Sequence, residues 1–460
     1  MNKKLEDYIN YLKNKKVLIL GIGVSNLPLL DYLHKYNINL TIRDRKKLEE
    51  LNDEIKNKIK KYNIEHILGD NYLDNLSNYD IIFRSPSILP NIKQLEEAKK
   101  NGCIITTEIE QVIKLSPCKV IGITGSKGKT TTTTIIANIL KELNYNVYVG
   151  GNIGKPLFSE INNMKDNDII VLEMSSFQLM NMEVSPNISI ITNISPDHLD
   201  IHKDYNEYIN AKKYIYLNQN KNDILILNEE DNIVKNMNKE ANGEIRYFGS
   251  INHNNNYYIK DKNIYFKDKK IIDTNKLLLK GRHNHLNICA ALTAIKDYIN
   301  VDDTKLENIV SKIKSVHHRL EYVRTINNVE WYNDSASTTP DKSMGGLYAF
   351  DKKIVLIAGG YDKNISYEDF GKPIVENCSK LILFGATKDK IYNSVLKQNK
   401  KIEIYKLNTL EEVVNKAYEI AKENEVVLFS PASASFDMFK NAYQRGDLFK
   451  ELVNKIKTIN

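Results

Sequence analysis

Residues 120–140 read VIGITGSKGKTTTTTIIANIL, from Val120 to Leu140. An apolar stretch enters a turn containing Gly125 and Gly128, meets Lys129, and runs on through Thr130 to Thr134 into an apolar tail. A strand, a glycine-rich turn and a helix start in this order aim backbone N–H groups at an anion, and the helix dipole adds to the attraction. Lys129 is placed to reach the outer phosphates of a nucleoside triphosphate, and Thr130 to set a hydroxyl on Mg²⁺. The usual G-x-x-x-x-G-K-[ST] spacing is not met, because Ile123 stands where the first glycine belongs and Gly122 is one residue early. Threonine is a weak helix former. The first two of the run, Thr130 and Thr131, therefore read as ligands and Thr132 to Thr134 as packing residues.

Outward from this loop, the chain alternates apolar strands with helical patterns, the signature of parallel α/β sheets. Three such stretches are expected, at 1–115, 116–314 and 315–460. The first holds KVLILGIG, INLTIRD and YDIIFRSPS, the second CKVIGITG, DIIVLEMSS and ISIITNISPDHLD, the third VEWYNDS, KIVLIAGG and EVVLFSPAS. Each strand ends in polar residues, where open α/β sheets place their ligands. NNNYYIKDKNIYFKDKKIID in the second stretch alternates and carries turn residues, so it reads as hairpins. The expected architecture is a Rossmann-like N-terminal domain, a central P-loop ATPase-like domain with a mostly parallel sheet and a small antiparallel part, and a Rossmann-like C-terminal domain.

Composition agrees. A chain of 460 residues exceeds the roughly 250–300 that one core supports. Its 42% hydrophobic residues suffice for packed cores. No apolar run approaches the ~18 residues of a membrane span, and the polar start MNKKLEDYINYLKNKK has no signal-peptide core. Cys103, Cys118, Cys289 and Cys378 share no short spacing, which fits a reduced cytosolic protein and neither a disulfide framework nor a zinc site. The net charge of +7 is spread along the chain. Without a clustered basic stripe it does not point to nucleic acid, although it helps attract an anionic substrate.

LGIGVSN, at Leu20 to Asn26, also follows a strand and precedes a helix. Asn26 occupies the third-glycine position of a dinucleotide fingerprint, and Asp44 lies at the end of the next strand, where an acid takes a ribose hydroxyl. A nucleotide moiety fits this loop, and a nicotinamide is not required. A structural βα turn is the competing reading.

Taken in order, TGSKGKTT, GGNIG (150–154), EMSSFQL (173–179), DHLD (197–200), AKKYIY (211–216), GRHNHLN (281–287), HRLE (318–321) and NDS (333–335) resemble the Mur ligase family, the ATP-dependent amino-acid-adding enzymes of peptidoglycan synthesis. The displaced first glycine is part of the family pattern. The resemblance covers essentially the whole chain. GIGVSN, SSFQL, AGGYDKN and the tail SPASASFDMFKNAYQRGDLF are similar to the branch that adds D-glutamate to UDP-N-acetylmuramoyl-L-alanine. That reaction passes through an acyl phosphate and releases ADP and phosphate.

The resemblance implies the following roles. ATP lies on Gly125, Ser126, Lys127, Gly128, Lys129, Thr130 and Thr131, with its adenine on Asn284 and Asn287. These two sit one helical turn apart, and helix capping is the alternative for Asn284. Arg319 and Asp334, from the third domain, would meet the phosphates and ribose. Thr130 and Glu173 would hold one Mg²⁺ ion. His198 would hold a second, an unusual ligand for an ion that prefers oxygen. Lys212 would join it as a CO₂-derived carbamate. Carbamylation needs the neutral amine, which cationic surroundings favour; Lys213 is the adjacent alternative. Lys129, Glu173, His198 and Lys212 form the catalytic set. Val24, Ser25, Asp44, Arg45 and Ser85 would bind the uridine diphosphate, and Asn152, Ser175 and Gln178 the sugar-peptide end. Thr338, Lys363 and Ser435 would form the D-glutamate site. A cytoplasmic monomer acting on small molecules, inserted in no membrane, is implied.

Three positions depart from the family pattern: Ala336 stands where many relatives have lysine, Ala442 where an aromatic is frequent, and Ser87 where glycine is. The rival readings are a family member adding another amino acid, a folylpolyglutamate synthase-like ligase, a nucleotide-gated switch, and a nucleotide-sugar dehydrogenase.

Overall fold

The computed structural model describes residues 2–398 and 401–457. The chain divides into two compact units, Met1–Lys260 with Tyr265–Lys270 and Asn287–Asp302, and Asp261–Ile264 with Ile271–Leu286 and Asp303–Asn460.

The first unit carries two sheets. The N-terminal sheet is built from β1 (Lys16–Leu20), β2 (Asn39–Asp44), β3 (Glu65–Leu68), β4 (Ile81–Arg84) and β5 (Ile104–Thr106), in the order β3-β2-β1-β4-β5. All its pairings are parallel. The order reverses between β1 and β4, so the turns after those two strands lie side by side and open a crevice. The approach is close: a Cβ on Gly21, which has φ +85°, would meet the Ser85 Cβ at 2.7 Å.

The central sheet contains β6 (Lys119–Thr124), β7 (Val147–Gly151), β8 (Ile169–Glu173), β9 (Ile188–Ile191), β10 (Ile224–Asn228) and β11 (Glu244–Phe248). Its order is β11-β10-β9-β6-β8-β7, again parallel throughout. The phosphate-loop strand β6 therefore sits between β8 and β9, and three strand ends converge at one edge. One continuous apolar cluster runs through both sheets, from Leu5, Ile42 and Phe83 to Leu172, Ile191 and Leu227. Polar ties join them as well. The Glu108 carboxylate accepts from the N–H groups of Leu157 and Phe158 at 2.8 Å each, and buried Arg84 donates to Phe177 O.

The alternating stretch forms the expected hairpins. β12 (Tyr257–Lys260), β13 (Asn263–Phe266) and β14 (Lys269–Asp273) follow one another in a three-stranded sheet. Asp261 and Lys262 both have positive φ in the first two-residue turn, the geometry that matches strand twist in tight hairpins.

The second unit is built on β15 (Glu321–Ile326), β16 (Val329–Asn333), β17 (Ile354–Gly359), β18 (Cys378–Phe384), β19 (Glu403–Lys406) and β20 (Val426–Phe429), ordered β15-β16-β20-β17-β18-β19. This sheet is mixed where a Rossmann-like parallel sheet was expected. β15 runs antiparallel to β16, because Asn327 and Asn328 both take positive φ and close a two-residue hairpin at the edge. The other pairings are parallel.

The helices Gly371–Asn377 and Lys388–Leu396 pack against this sheet with almost no clearance. A Cβ on Gly371 would lie 2.1 Å from Ser394 O. Alanine favours a helix over glycine by up to about 1 kcal/mol, but forcing two backbones apart costs about 1–3 kcal/mol. Gly371→Ala is therefore expected to destabilise the protein by about 2 kcal/mol in urea unfolding; a stabilised variant would show that the helices part freely.

Candidate active site

The turn after β6 needs glycine at two points. A Cβ on Gly125 (φ +143°) would stand 1.9 Å from Thr192 Oγ1, and one on Gly128 (φ +87°) 2.6 Å from Asn287 Oδ1. The segment after β9 grips the turn. Ser126 N–H donates to Asn193 O at 2.8 Å. Lys127 N–H donates to Asn193 Oδ1 at 3.0 Å, and Asn193 Nδ2 returns a bond to Lys127 O at 2.8 Å. Thr192 Oγ1 reaches the same carbonyl at 2.6 Å. The N–H groups of Ser126 and Lys127 are thus used within the protein. Gly128 to Thr131, at the N-terminus of the helix Lys129–Glu142, is the part that turns N–H groups outward.

The threonine run divides as its burial dictates. Thr130 and Thr131 are half-buried at the helix start, whereas Thr132 and Thr133 are fully buried. Among the described residues the hydroxyls of Thr132 and Thr133 have no hydrogen-bond partner, so these two act as packing groups. Thr134 Oγ1 bonds back to Thr130 O at 2.8 Å, the usual outlet for a hydroxyl inside a helix.

Two ammonium groups meet beside the turn. Lys129 Nζ donates to Gly125 O at 2.8 Å and Ser126 O at 3.0 Å. Lys212 Nζ donates to the same Gly125 O at 3.0 Å, and lies 4.6 Å from the Tyr208 ring centroid. The Lys212 residue is 1% exposed. Burial first, and then the charge of Lys129, push its pKa down to about 7. Near neutrality a large share of Lys212 is therefore the free amine. Lys213, the adjacent alternative, pairs instead with Glu240 at 2.8 Å.

Tyr208 is fixed in turn. Ser126 Oγ donates to Ser195 O and accepts from Ser195 N–H, both at 2.9 Å. Its one proton being used, the Tyr208 hydroxyl must donate to it, at 2.8 Å.

Glu173 closes β8 and is 1% exposed. Its Oε1 accepts from Asn152 Nδ2 at 2.7 Å, while Oε2 has no partner among the described residues. A buried carboxylate oxygen left bare is costly and suits a cation ligand. Gly151 keeps Asn152 in place, since a Cβ there would meet Glu173 O at 2.1 Å. His198 takes φ +53°, in the left-handed region. Strain of this kind concentrates at functional sites.

Lys129, Lys212, Tyr208, Asn152 and His198 share a cleft of ≈ 710 Å³ with the N-terminal sheet's loops, whereas Glu173 is not among its lining residues. Val24 and Ser25 line it from the first domain, Asn152, Ser175 and Gln178 from the central one, and Lys129, His198 and Lys212 at its reactive end. Asp44, Arg45 and Ser85 are not among its lining residues. The Asp44 carboxylate accepts from Ile22 N–H at 2.8 Å and Lys46 N–H at 2.9 Å, so it closes its own turn. Ser175 and Gln178 form a capping box.

In the second unit, the loops after β16, β20 and β17, three neighbouring strands, hold Asp334 and Thr338, Ser435, and Lys363. Asp334 is buried, accepting from Leu320 N–H at 3.1 Å and Ser430 Oγ at 2.7 Å, and burial pushes its pKa up to about 6. Arg319 and Lys363 are exposed, Thr338 is half-buried and Ser435 buried. Asp362, next to Lys363, pairs with Lys390 at 2.6 Å. Asn284 Nδ2 donates to Lys280 O at 2.7 Å, and Asn287, on the same helix Arg282–Ile295, stands over Gly128 in the first unit.

Arg445 carries no role in the sequence reading. It is 0% exposed and has no carboxylate partner. It donates to Ser335 Oγ and O and to the carbonyls of Ser433 and Ala434 at 2.8–3.0 Å. His317, His318 and Asp447 come within 4.8 Å of one another, as metal ligands do. The Lys450 ammonium, 3.3 Å from His317 Nδ1 and 3.2 Å from Asp447 Oδ1, already supplies the cation there.

Comparison with known proteins follows the same division. The profile of a Mur ligase MurD-like N-terminal domain matches residues 15–107, that of the Mur ligase middle domain 123–295, and that of the Mur ligase glutamate ligase domain 318–433. A UDP-N-acetylmuramoylalanine–D-glutamate ligase of Clostridium kluyveri is 42% identical over 460 residues, covering 99% of this chain and all of its own. One from Ruminiclostridium cellulolyticum is 43% identical over 471 residues with the same coverage. Among solved structures, MurC of Thermotoga maritima, a UDP-N-acetylmuramate-alanine ligase, superposes with a TM-score of 0.56 at 20% identity, covering 96% of this chain and all of that one. The MurF ligase of T. maritima in complex with ADP reaches 0.56 at 18% identity over 97% of each chain.

Asn193 alone bonds both backbone groups of Lys127. Asn193→Ala is expected to weaken ADP binding about tenfold, or about 1.4 kcal/mol, in calorimetric titration, with little change in unfolding midpoint. Unchanged ADP affinity would show that the turn holds its shape without this latch.

Proposed function

The chain belongs to the Mur ligase family, and we propose that it joins D-glutamate to UDP-N-acetylmuramoyl-L-alanine at the expense of ATP. The observation that carries this reading is full-length similarity, at 42–43% identity, to D-glutamate ligases. The cleft supports it, since it brings the N-terminal loop residues and the phosphate-loop lysine into one cavity.

A carboxylate is a poor electrophile toward an amine in water. The substrate carboxylate oxygen attacks the γ-phosphorus, ADP leaves, and an acyl phosphate results. The amine nitrogen of D-glutamate then attacks the acyl carbon, the bond to the phosphate oxygen breaks, and a proton is lost from nitrogen. Phosphoryl transfer is mostly positioning and charge neutralisation. Lys129 and the N–H groups at the start of its helix provide both.

The bare Glu173 Oε2 and the nearby hydroxyl chemistry of Thr130 fit one Mg²⁺ ion. His198 and a carbamylated Lys212 fit a second. These ions would neutralise charge on the transferring phosphoryl group. Lys212 is suited to carbamylation, because its free amine can attack CO₂ and lose a proton, turning a buried cation into an oxygen donor.

Residues 1–115 would hold the uridine diphosphate, with Val24, Ser25, Asp44, Arg45 and Ser85. Asn152, Ser175 and Gln178 would take the sugar-peptide end. Residues 116–314 would bind ATP through Gly125 to Thr131, Asn284 and Asn287, with Arg319 and Asp334 completing the site. Residues 315–460 would bind D-glutamate on Thr338, Lys363 and Ser435. It would work as a monomer in the cytoplasm on small molecules; no helix among the described residues is long and apolar enough to cross a membrane.

Phosphate release from ATP and Mg²⁺ with UDP-N-acetylmuramoyl-L-alanine is expected with D-glutamate and not with L-alanine, L-lysine or L-glutamate. Turnover with one of the others and none with D-glutamate would overturn the substrate assignment. Lys212→Ala is expected to lose at least about 100-fold in kcat and to regain part of it with a short-chain carboxylic acid. Full activity in that variant would remove the carbamate.

A further inference from the structure

We propose that His202 is a positioning residue, which with Glu207 and Ser176 fixes the segment bearing His198 against the two elements that carry Glu173 and Lys212. His202 is absent from every role assigned above, yet its side chain is fully buried at the wall of the cleft. Nδ1 lies 3.2 Å from Glu207 Oε2 and Nε2 lies 2.9 Å from Ser176 Oγ. An ionised carboxylate only accepts, so Nδ1 carries the proton and Nε2 accepts from the serine hydroxyl. Both ring nitrogens are therefore committed.

The two hydrogen-bond partners come from different elements. Ser176 opens the helix Ser176–Leu179, three residues beyond Glu173. Glu207 lies in the helix Tyr205–Lys213, which carries Lys212. Glu207 also accepts from Lys203 N–H at 2.8 Å and, through its other oxygen, from Asn91 of the N-terminal domain at 3.1 Å. The His202 ring stacks on Phe177 at 4.9 Å with 7° between planes, and the other neighbour of Phe177 is the His198 ring, edge-on at 5.3 Å. His202 N–H closes a turn on His198 O at 3.0 Å. The His198 side chain is half exposed and its backbone is left-handed. The ring it approaches, Phe177, is thus set by a neighbour that cannot rotate without breaking two hydrogen bonds. A 1 Å error in such a group costs on the order of 100-fold in rate.

This inference rests on the proposed ligase reaction only for its catalytic readout. Amide hydrogen exchange in the ligand-free protein needs no substrate, so its failure and the failure of the D-glutamate assignment are distinguishable. In His202→Ala the amides of 196–203 are expected to exchange at least about tenfold faster, with β6 and the phosphate-loop helix unchanged, because the loss is local. kcat is expected to fall at least about tenfold while KM for ATP moves less than about threefold. Ser176→Ala, which removes one oxygen and no packing volume to speak of, is expected to show a smaller share of the same pattern, and the double variant to be no worse than His202→Ala. His202→Gln, which keeps one donor and one acceptor, is expected to recover part of kcat. Unchanged exchange at 196–203 in both single variants, or independent multiplication of their effects on kcat, would overturn the proposal. Should His202→Ala fail to fold, exchange in Ser176→Ala decides alone.

Discussion

Two ammonium groups converge on the carbonyl oxygen of Gly125, and much of the first unit is arranged around them. Lys129 arrives from the phosphate-loop helix and Lys212 from a helix more than eighty residues later. Two like charges on one acceptor, one of them cut off from water, are not equally tolerable. Lys129 is half-buried and lines the cleft. Lys212 has an aromatic face on one side and no carboxylate in hydrogen-bond contact, so its amine is the group that gives up a proton. Lys213 has different surroundings, being paired with Glu240. Burial is the larger cause of the lowered Lys212 pKa and the Lys129 charge the smaller.

The strands were legible because a parallel strand covered on both faces must be a continuous apolar run bounded by polar ends. KVLIL, KVIGIT and KIVLIAGG satisfy this, and each became a central strand of its sheet. The edge strand β15 escaped because EYVRTI is a half-buried hairpin strand with charged residues, which has no such run. That omission hid the antiparallel edge that makes the third sheet mixed.

The side chains proposed to react stood out in the sequence for a different reason. Lys129, Glu173, His198 and Lys212 stand at strand ends or one helix away, in stretches where local motif and chemistry coincide. Their supports were not legible. Asn193 reads as an ordinary polar residue after a strand, but its amide pairs with Lys127 as a neighbouring strand would. Tyr208 reads as core, but its hydroxyl completes the bonding of Ser126. Such groups act on backbone atoms distant in sequence, and no spacing rule connects them. Asp44 and Asp334 carry an added structural duty that the sequence did not show. Both read as ligand carboxylates, and both carry bonds to their own domain's backbone that fix the adjacent loop.

The second unit shows how a missing charge can be carried below the surface. Ala336 leaves the loop after β16 without the lysine frequent in relatives. One residue away, Ser335 holds the guanidinium of Arg445 through both its hydroxyl and its carbonyl, and the opposite end of that guanidinium holds Ser433 and Ala434. Burying a guanidinium without a counter-ion costs several kcal/mol unless its donors are satisfied, and four bonds to neutral acceptors satisfy them without cancelling the charge. Arg445 therefore lies beneath the loops that carry Thr338 and Ser435, with the Asp437 charge also acting on it, while Lys363 is exposed. Lys363 is thus an exposed cation and Arg445 a fixed, buried one. The fixed one also locks the two loops together, so it acts on geometry as well as on charge.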